Sequence, residues 1–175
     1  MIRRNTFLAL FLLVLISCKS RKATQLNTAL EQKGRTVFNI MVGKNGPSER
    51  KLKCLIDGDF KCALQAIAEE EKAFDTVISE INALQTTDIK HGNELKTASV
   101  NYYEAVKSLA LFDRADIALQ QISRDKTNTA QVRDAAIHKQ LQLSRDKMEI
   151  HKTINKKELV LAEVQKQFDE LNHLN

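Results

Sequence analysis

The chain has no tryptophan, one proline, five glycines and two tyrosines among 175 residues. Few turn formers and few aromatics, with abundant Leu, Ala, Gln, Lys and Glu, favour helix over sheet. After Gly92 neither glycine nor proline occurs. The sequence holds no glycine-rich phosphate loop, no serine elbow and no Cys/His dyad with a supporting signature. Its four histidines are His91, His138, His151 and His173. Asp134 and His138 stand one helical turn apart, which could orient an imidazole or share a metal, but a metal site needs further ligands. The residues therefore point to no catalysis, no cofactor and no metal.

Long apolar runs are also absent, apart from one short segment. Phe7 to Ile16 is ten apolar residues, preceded by Arg3 and Arg4 and followed by Ser17 and Cys18. A permanent membrane span needs roughly 20 residues. The run reads instead as a secretory signal, with its arginines on the side that stays behind. The ending Leu15-Ile16-Ser17-Cys18 resembles the lipobox of bacterial lipoproteins. That resemblance implies cleavage before Cys18, a thioether-linked diacylglycerol on its sulfur and an acyl chain of the palmitate kind on the new amine. Two or more chains hold a protein firmly, at about 0.8 kcal/mol per buried methylene. Lys19-Ser20-Arg21-Lys22 lacks the aspartate that resembles an inner-membrane retention signal, and the acidic run associated with surface export. The resemblance thus implies the cell envelope, anchored in the outer membrane and facing the periplasm.

The expected organisation is a signal peptide over 1–17, a lipidated tether over 18–24 and one helical domain over 25–175. Removing the signal leaves 158 residues, enough for a single core. It also removes Arg3 and Arg4, so 25 basic residues face 22 acidic ones, a balance of +3. That charge is too mild and too evenly mixed to argue for nucleic acid.

Helical periodicity predicts an all-α antiparallel bundle of about four helices with a long C-terminal one. The first, from Ser20 to Val42, carries Leu26, Leu30, Val37 and Met41 on one stripe, with Gly34 costing it about 1 kcal/mol relative to alanine. Gly43 to Ser48 is the clearest break, with Ser48 as a candidate cap. The second segment runs from Glu49 to Leu84, meeting Asp57-Gly58-Asp59 on the way. Leu64, Ile67, Phe74, Val77, Ile78 and Ile81 form its expected core face, and Glu69-Glu70-Glu71 a solvated one. Gly58-Asp59-Phe60 with Ala63-Leu64 looks like part of a tetratricopeptide repeat, but no copy follows at a period of about 34 residues. The third helix, from Asp88 towards Ser123, has Leu95, Ala98, Tyr102, Val106, Leu109 and Ile117 at helical spacing. Tyr102 is expected inside and Tyr103 outside.

The last helix, from about Ala130 to Leu174, would be roughly 65 Å long. Ile150, Ile154, Leu161, Val164, Phe168 and Leu171 recur on it in steps of 3, 4 and 7, interrupted by Lys157. This heptad stripe suits bundle packing, self-association or a protein partner, and is the expected interaction face. A six-residue word, Gln121-Ile122-Ser123-Arg124-Asp125-Lys126, returns 21 residues later as Gln142-Leu143-Ser144-Arg145-Asp146-Lys147.

With Cys18 lipidated, Cys54 and Cys62 remain as an even pair in an oxidising compartment. Eight residues of straight helix rise about 12 Å, whereas a disulfide needs Cα atoms within roughly 7 Å. A bond therefore requires the chain to reverse at Gly58; the alternative is two buried thiols on one helix. The functional expectation is a lipid-anchored interaction or structural module without catalysis. The alternative is a module that holds a small apolar or lipid-like ligand between helices, with Tyr102 or Tyr103 lining the groove.

Overall fold

The computed structural model describes residues 21–174, which form α1 (Arg21–Val42), α2 (Pro47–Ile56), α3 (Phe60–Asn82), α4 (Gly92–Arg124) and α5 (Ala130–Asn172). No strand occurs among the described residues. Paired cross-links show the directions. Lys22–Asp88 with Lys33–Glu80, and Cys54–Cys62 with Ser48–Glu70, set α3 antiparallel to α1 and α2. Lys107–Asp75 with Arg114–Glu71 set α4 antiparallel to α3, and Gln140–Asp116 with Lys147–Asp113 set α5 antiparallel to α4. The fold is an all-α antiparallel bundle with a long C-terminal helix. No helix among the described residues is long and apolar enough to cross a membrane. Cys18 and the signal segment lie outside the described residues.

The main core sits where four helices meet, a region termed the base. Leu26, Leu30, Val37 and Ile40 of α1 pack with Phe74, Val77, Ile78 and Ile81 of α3, Leu95, Tyr103 and Val106 of α4, and Phe168 of α5. A smaller core joins Cys54 of α2, Ala63 and Ile67 of α3 and Ile117 of α4. It includes no residue of α5. The C-terminal half of α4 packs on α2 and the start of α3 through this core, and the N-terminal half of α5 lies along α4 without entering it; that half of α5, with the stretch of α4 beside it, is termed the arm.

Helix ends follow local chemistry. Asp59 caps α3 by accepting from the Cys62 amide at 2.9 Å, and Thr129 caps α5 by accepting from the Val132 amide at 3.4 Å. Lys96 Nζ donates to the carbonyls of Asn82 at 3.4 Å and Leu84 at 3.2 Å, covering acceptors left open at the end of α3 and just past it. In the α4–α5 loop, the Thr127 amide and hydroxyl both donate to Asp125 Oδ1, at 2.9 and 2.7 Å. These bonds hold the Asp125 carboxyl below the usual carboxylate range.

Several expectations change on folding. The second segment breaks at Gly58, whose φ of 73° is the left-handed conformation that glycine adopts freely. The chain reverses there and yields two helices, α2 and α3. Ser48 does not cap α2, which begins at Pro47 after Gly46; its hydroxyl instead donates to Glu70 Oε1 at 2.8 Å. The third helix starts at Gly92 rather than Asp88, because Asp88 and His91 take positive φ in a turn. Ile40, not Met41, completes the buried face of α1. Arg21 to Thr24 belong to α1 rather than to an extended tether, with Ala23 fully buried and Lys22 paired to Asp88 at 2.9 Å. Tyr103 is the inward ring and Tyr102 is half-buried, the reverse of the expected order.

Glu69-Glu70-Glu71 is not a solvated face. Consecutive helical positions point about 100° apart, so each glutamate meets a different partner. Glu69 pairs with Arg50 of α2, Glu70 with Lys51 of α2 and Glu71 with Arg114 of α4.

Candidate functional site

The stripe expected to be an interaction face is mostly used inside the bundle. Phe168 is 0% exposed, and Ile154, Leu161 and Val164 pack against the main core. Ile150 is half-buried, and only Leu171 of the six is exposed. The reason is that α4 and α1 already cover this side of α5; the Gln165 amide reaches Asn27 Oδ1 of α1 at 3.0 Å. The other outward apolar side chains of α5 are Ile137, Leu141 and Met148 on the arm, Val132 at its start, and Leu159 and Val160 nearer the base.

On the arm, the first three follow steps of 4 and 7, so they share one stripe of the helix. The repeated six-residue words diverge in role. Arg124 of the first stacks over the Phe60 ring at 5.6 Å, whereas Lys147 of the second lies over Phe112 at 5.1 Å and 3.6 Å from Asp113.

A chain of charges ties the arm to α2. Lys51 Nζ lies 2.5 Å from Asp113 and 3.3 Å from Glu70. Glu70 is buried, at 5% exposure. Burial disfavours the Lys51 ammonium, but the Asp113 bond and the charges of Glu70 and Asp113 outweigh it and raise its pKa. With Ser48 and Lys147 included, every member has a partner. The network reads as a positional lock between helices rather than a reactive centre.

Cys54 and Cys62 are joined as a disulfide, with Cα atoms 5.7 Å apart across the Gly58 turn. The turn brings the ends together, and the Asp59 amide donates to the Cys54 carbonyl at 2.8 Å.

One cleft on the base has the make-up of a binding site. It lies between α1, α4 and α5, with a volume of about 330 Å³. Tyr102, Tyr103, Leu30 and Leu161 form its apolar walls, and Gly34, Ser99 and Ala162 keep it open by being small. Glu31, Glu158 and Gln165 supply its polar groups. A Cβ on Gly34 would sit 3.1 Å from the Tyr103 hydroxyl, so glycine lets the phenol approach α1 closely. The two rings lie 5.2 Å apart between centroids and are tilted by 55°. Burial raises both phenol pKa values, with the charge of Glu158 adding to Tyr102 and the neighbouring Tyr102 adding to Tyr103.

The tyrosines could be flagged from sequence, but Gly34, Glu31 and Glu158 could not, because nothing local links α1 to α5. Glu170 and His173 stand at Glu-x-x-His spacing at the end of α5, with no third ligand grouped with them among the described residues. No group of three His, Cys, Asp or Glu suited to a metal occurs among the described residues. Comparison with known proteins found no matching family model, no similar curated protein and no similar solved structure.

Proposed function

We propose that the chain is a lipid-anchored helical module of a bacterial cell envelope, which offers its α4–α5 arm to a helix of another envelope protein and performs no catalysis. The interaction reading is carried by Ile137, Leu141 and Met148, an apolar stripe on the arm that its own bundle leaves exposed, Leu141 at 62%. Such a stripe fits the helix-in-groove mode of recognition. The anchor reading rests on Arg3-Arg4, the apolar run and Leu15-Ile16-Ser17-Cys18.

Two experiments test the two halves. A photo-cross-linking residue at Leu141 should give a discrete adduct in cells, lost when Ile137 and Met148 are changed to aspartate. Absence of any adduct removes the interaction reading. Cys18→Ser should leave the chain uncleaved or release it from membranes. Processing and fractionation like the parent would overturn the anchor, and with it the outer-membrane, periplasm-facing placement.

The tyrosine-lined cleft favours a second reading, a module that holds a small apolar or lipid-like ligand between helices.

A further inference from the structure

We propose that the Tyr102–Tyr103 cleft binds an organic cation, an alkylammonium group set against the two rings with Glu31 and Glu158 beside it. The inference rests on the reading of this cleft as a ligand site, and adds the chemistry of the ligand.

The charge of the lining is selective. The chain carries 27 basic residues, yet among the described residues two carboxylates and no lysine or arginine line this cleft. Neither Glu31 nor Glu158 forms an ion pair among the described residues. Glu31 accepts one long bond from Asn27 Nδ2, at 3.5 Å. An anionic ligand would meet repulsion from both carboxylates. A cation would meet none.

The rings supply the second part. An ammonium within about 6 Å of a ring centroid is held by the quadrupole of the ring, and aromatic cages for quaternary ammonium use several such faces. The 55° tilt between Tyr102 and Tyr103 makes a corner rather than a stack. Elsewhere the protein fills such positions with its own cations, Arg124 over Phe60 and Lys147 over Phe112. At the tyrosine pair no side-chain cation among the described residues takes that place. Leu30 and Leu161 offer apolar surface to the alkyl part of a ligand.

The protein carries its own reporter. Its only two tyrosines line the cleft and it has no tryptophan, so intrinsic fluorescence reads this site. The full chain, extracted in an uncharged sugar detergent, is titrated with choline, butyltrimethylammonium, phosphocholine and the uncharged tert-butyl analogue of choline. The cationic probes should change tyrosine emission saturably. The uncharged analogue should bind about tenfold more weakly, and Glu158→Gln, a change at an exposed position, should weaken choline about fivefold.

Phosphocholine binding as well as choline does assigns the cation to a lipid headgroup, and its exclusion assigns it to a free amine. Equal binding of the charged and uncharged probes overturns the cation assignment while leaving a ligand cleft. No response to any probe overturns both.

Discussion

Along α5, the positions turned toward α4 recur in steps of 3 and 4 from Arg133 to Phe168: 133, 136, 140, 143, 147, 150, 154, 157, 161, 164 and 168. The spacing is constant and the chemistry is not. On the arm these positions hold Arg133, Ala136, Gln140, Leu143 and Lys147; toward the base they hold Ile150, Ile154, Lys157, Leu161, Val164 and Phe168. The arm half meets one helix, α4, and is held by Gln140 to Asp116 and Lys147 to Asp113. The base half meets α4 and α1, and its covered face widens to take in Gln165, Asp169 and Asn172. A heptad spacing therefore says that a helix has a neighbour along its length. The side chains on the spacing say how much apolar area that neighbour removes from water, and hence where the stability lies.

The largest test of this contrast is Phe168→Ala. The ring is fully buried at the base, and its loss should cost about 3–5 kcal/mol in chemical denaturation. A loss below 1 kcal/mol would mean that the base is not the stability centre.

Next is Lys51→Met, which leaves Glu70 buried without its cation and should cost about 3 kcal/mol. Adding Glu70→Met should recover most of that loss.

The same lysine gives a pH prediction. Its raised pKa means that its contribution is complete below the ordinary lysine value of about 10.4, and is lost as pH rises through the higher folded value. Tyr102 and Tyr103, also raised, act in the same direction above about pH 10. Stability should thus fall under alkaline conditions, less steeply in Lys51→Met than in the parent.

The smallest effect is expected on the arm. Gln140→Ala removes one hydrogen bond at a half-buried position and should cost about 0.5–1 kcal/mol.

The sequence made the helices and the base half of α5 legible because apolar spacing is a local property. Caps are equally local: Asp59 and Thr129 each accept from the amide three residues on. Long-range pairings were hidden. Glu69-Glu70-Glu71 looks solvent-facing until α2 and α4 bring Arg50, Lys51 and Arg114 to it. Tyr102 and Tyr103 differ by one position, and the inward one, Tyr103, sets its hydroxyl against Gly34 of α1, more than sixty residues away in the chain. The stripe of α5 looked like a surface for a partner because the sequence does not say that α1 and α4 already cover it. The cleft was legible only as two tyrosines, since its carboxylates come from α1 and α5.

Hydrogen exchange resolved along α5 tests the contrast most directly. Amides from Ile154 to Leu171 should exchange only through global unfolding, whereas those from Arg133 to Lys147 should exchange through a local opening of the arm at lower free energy. Uniform protection from Arg133 to Leu171 would contradict the account, placing arm and base in one cooperative unit.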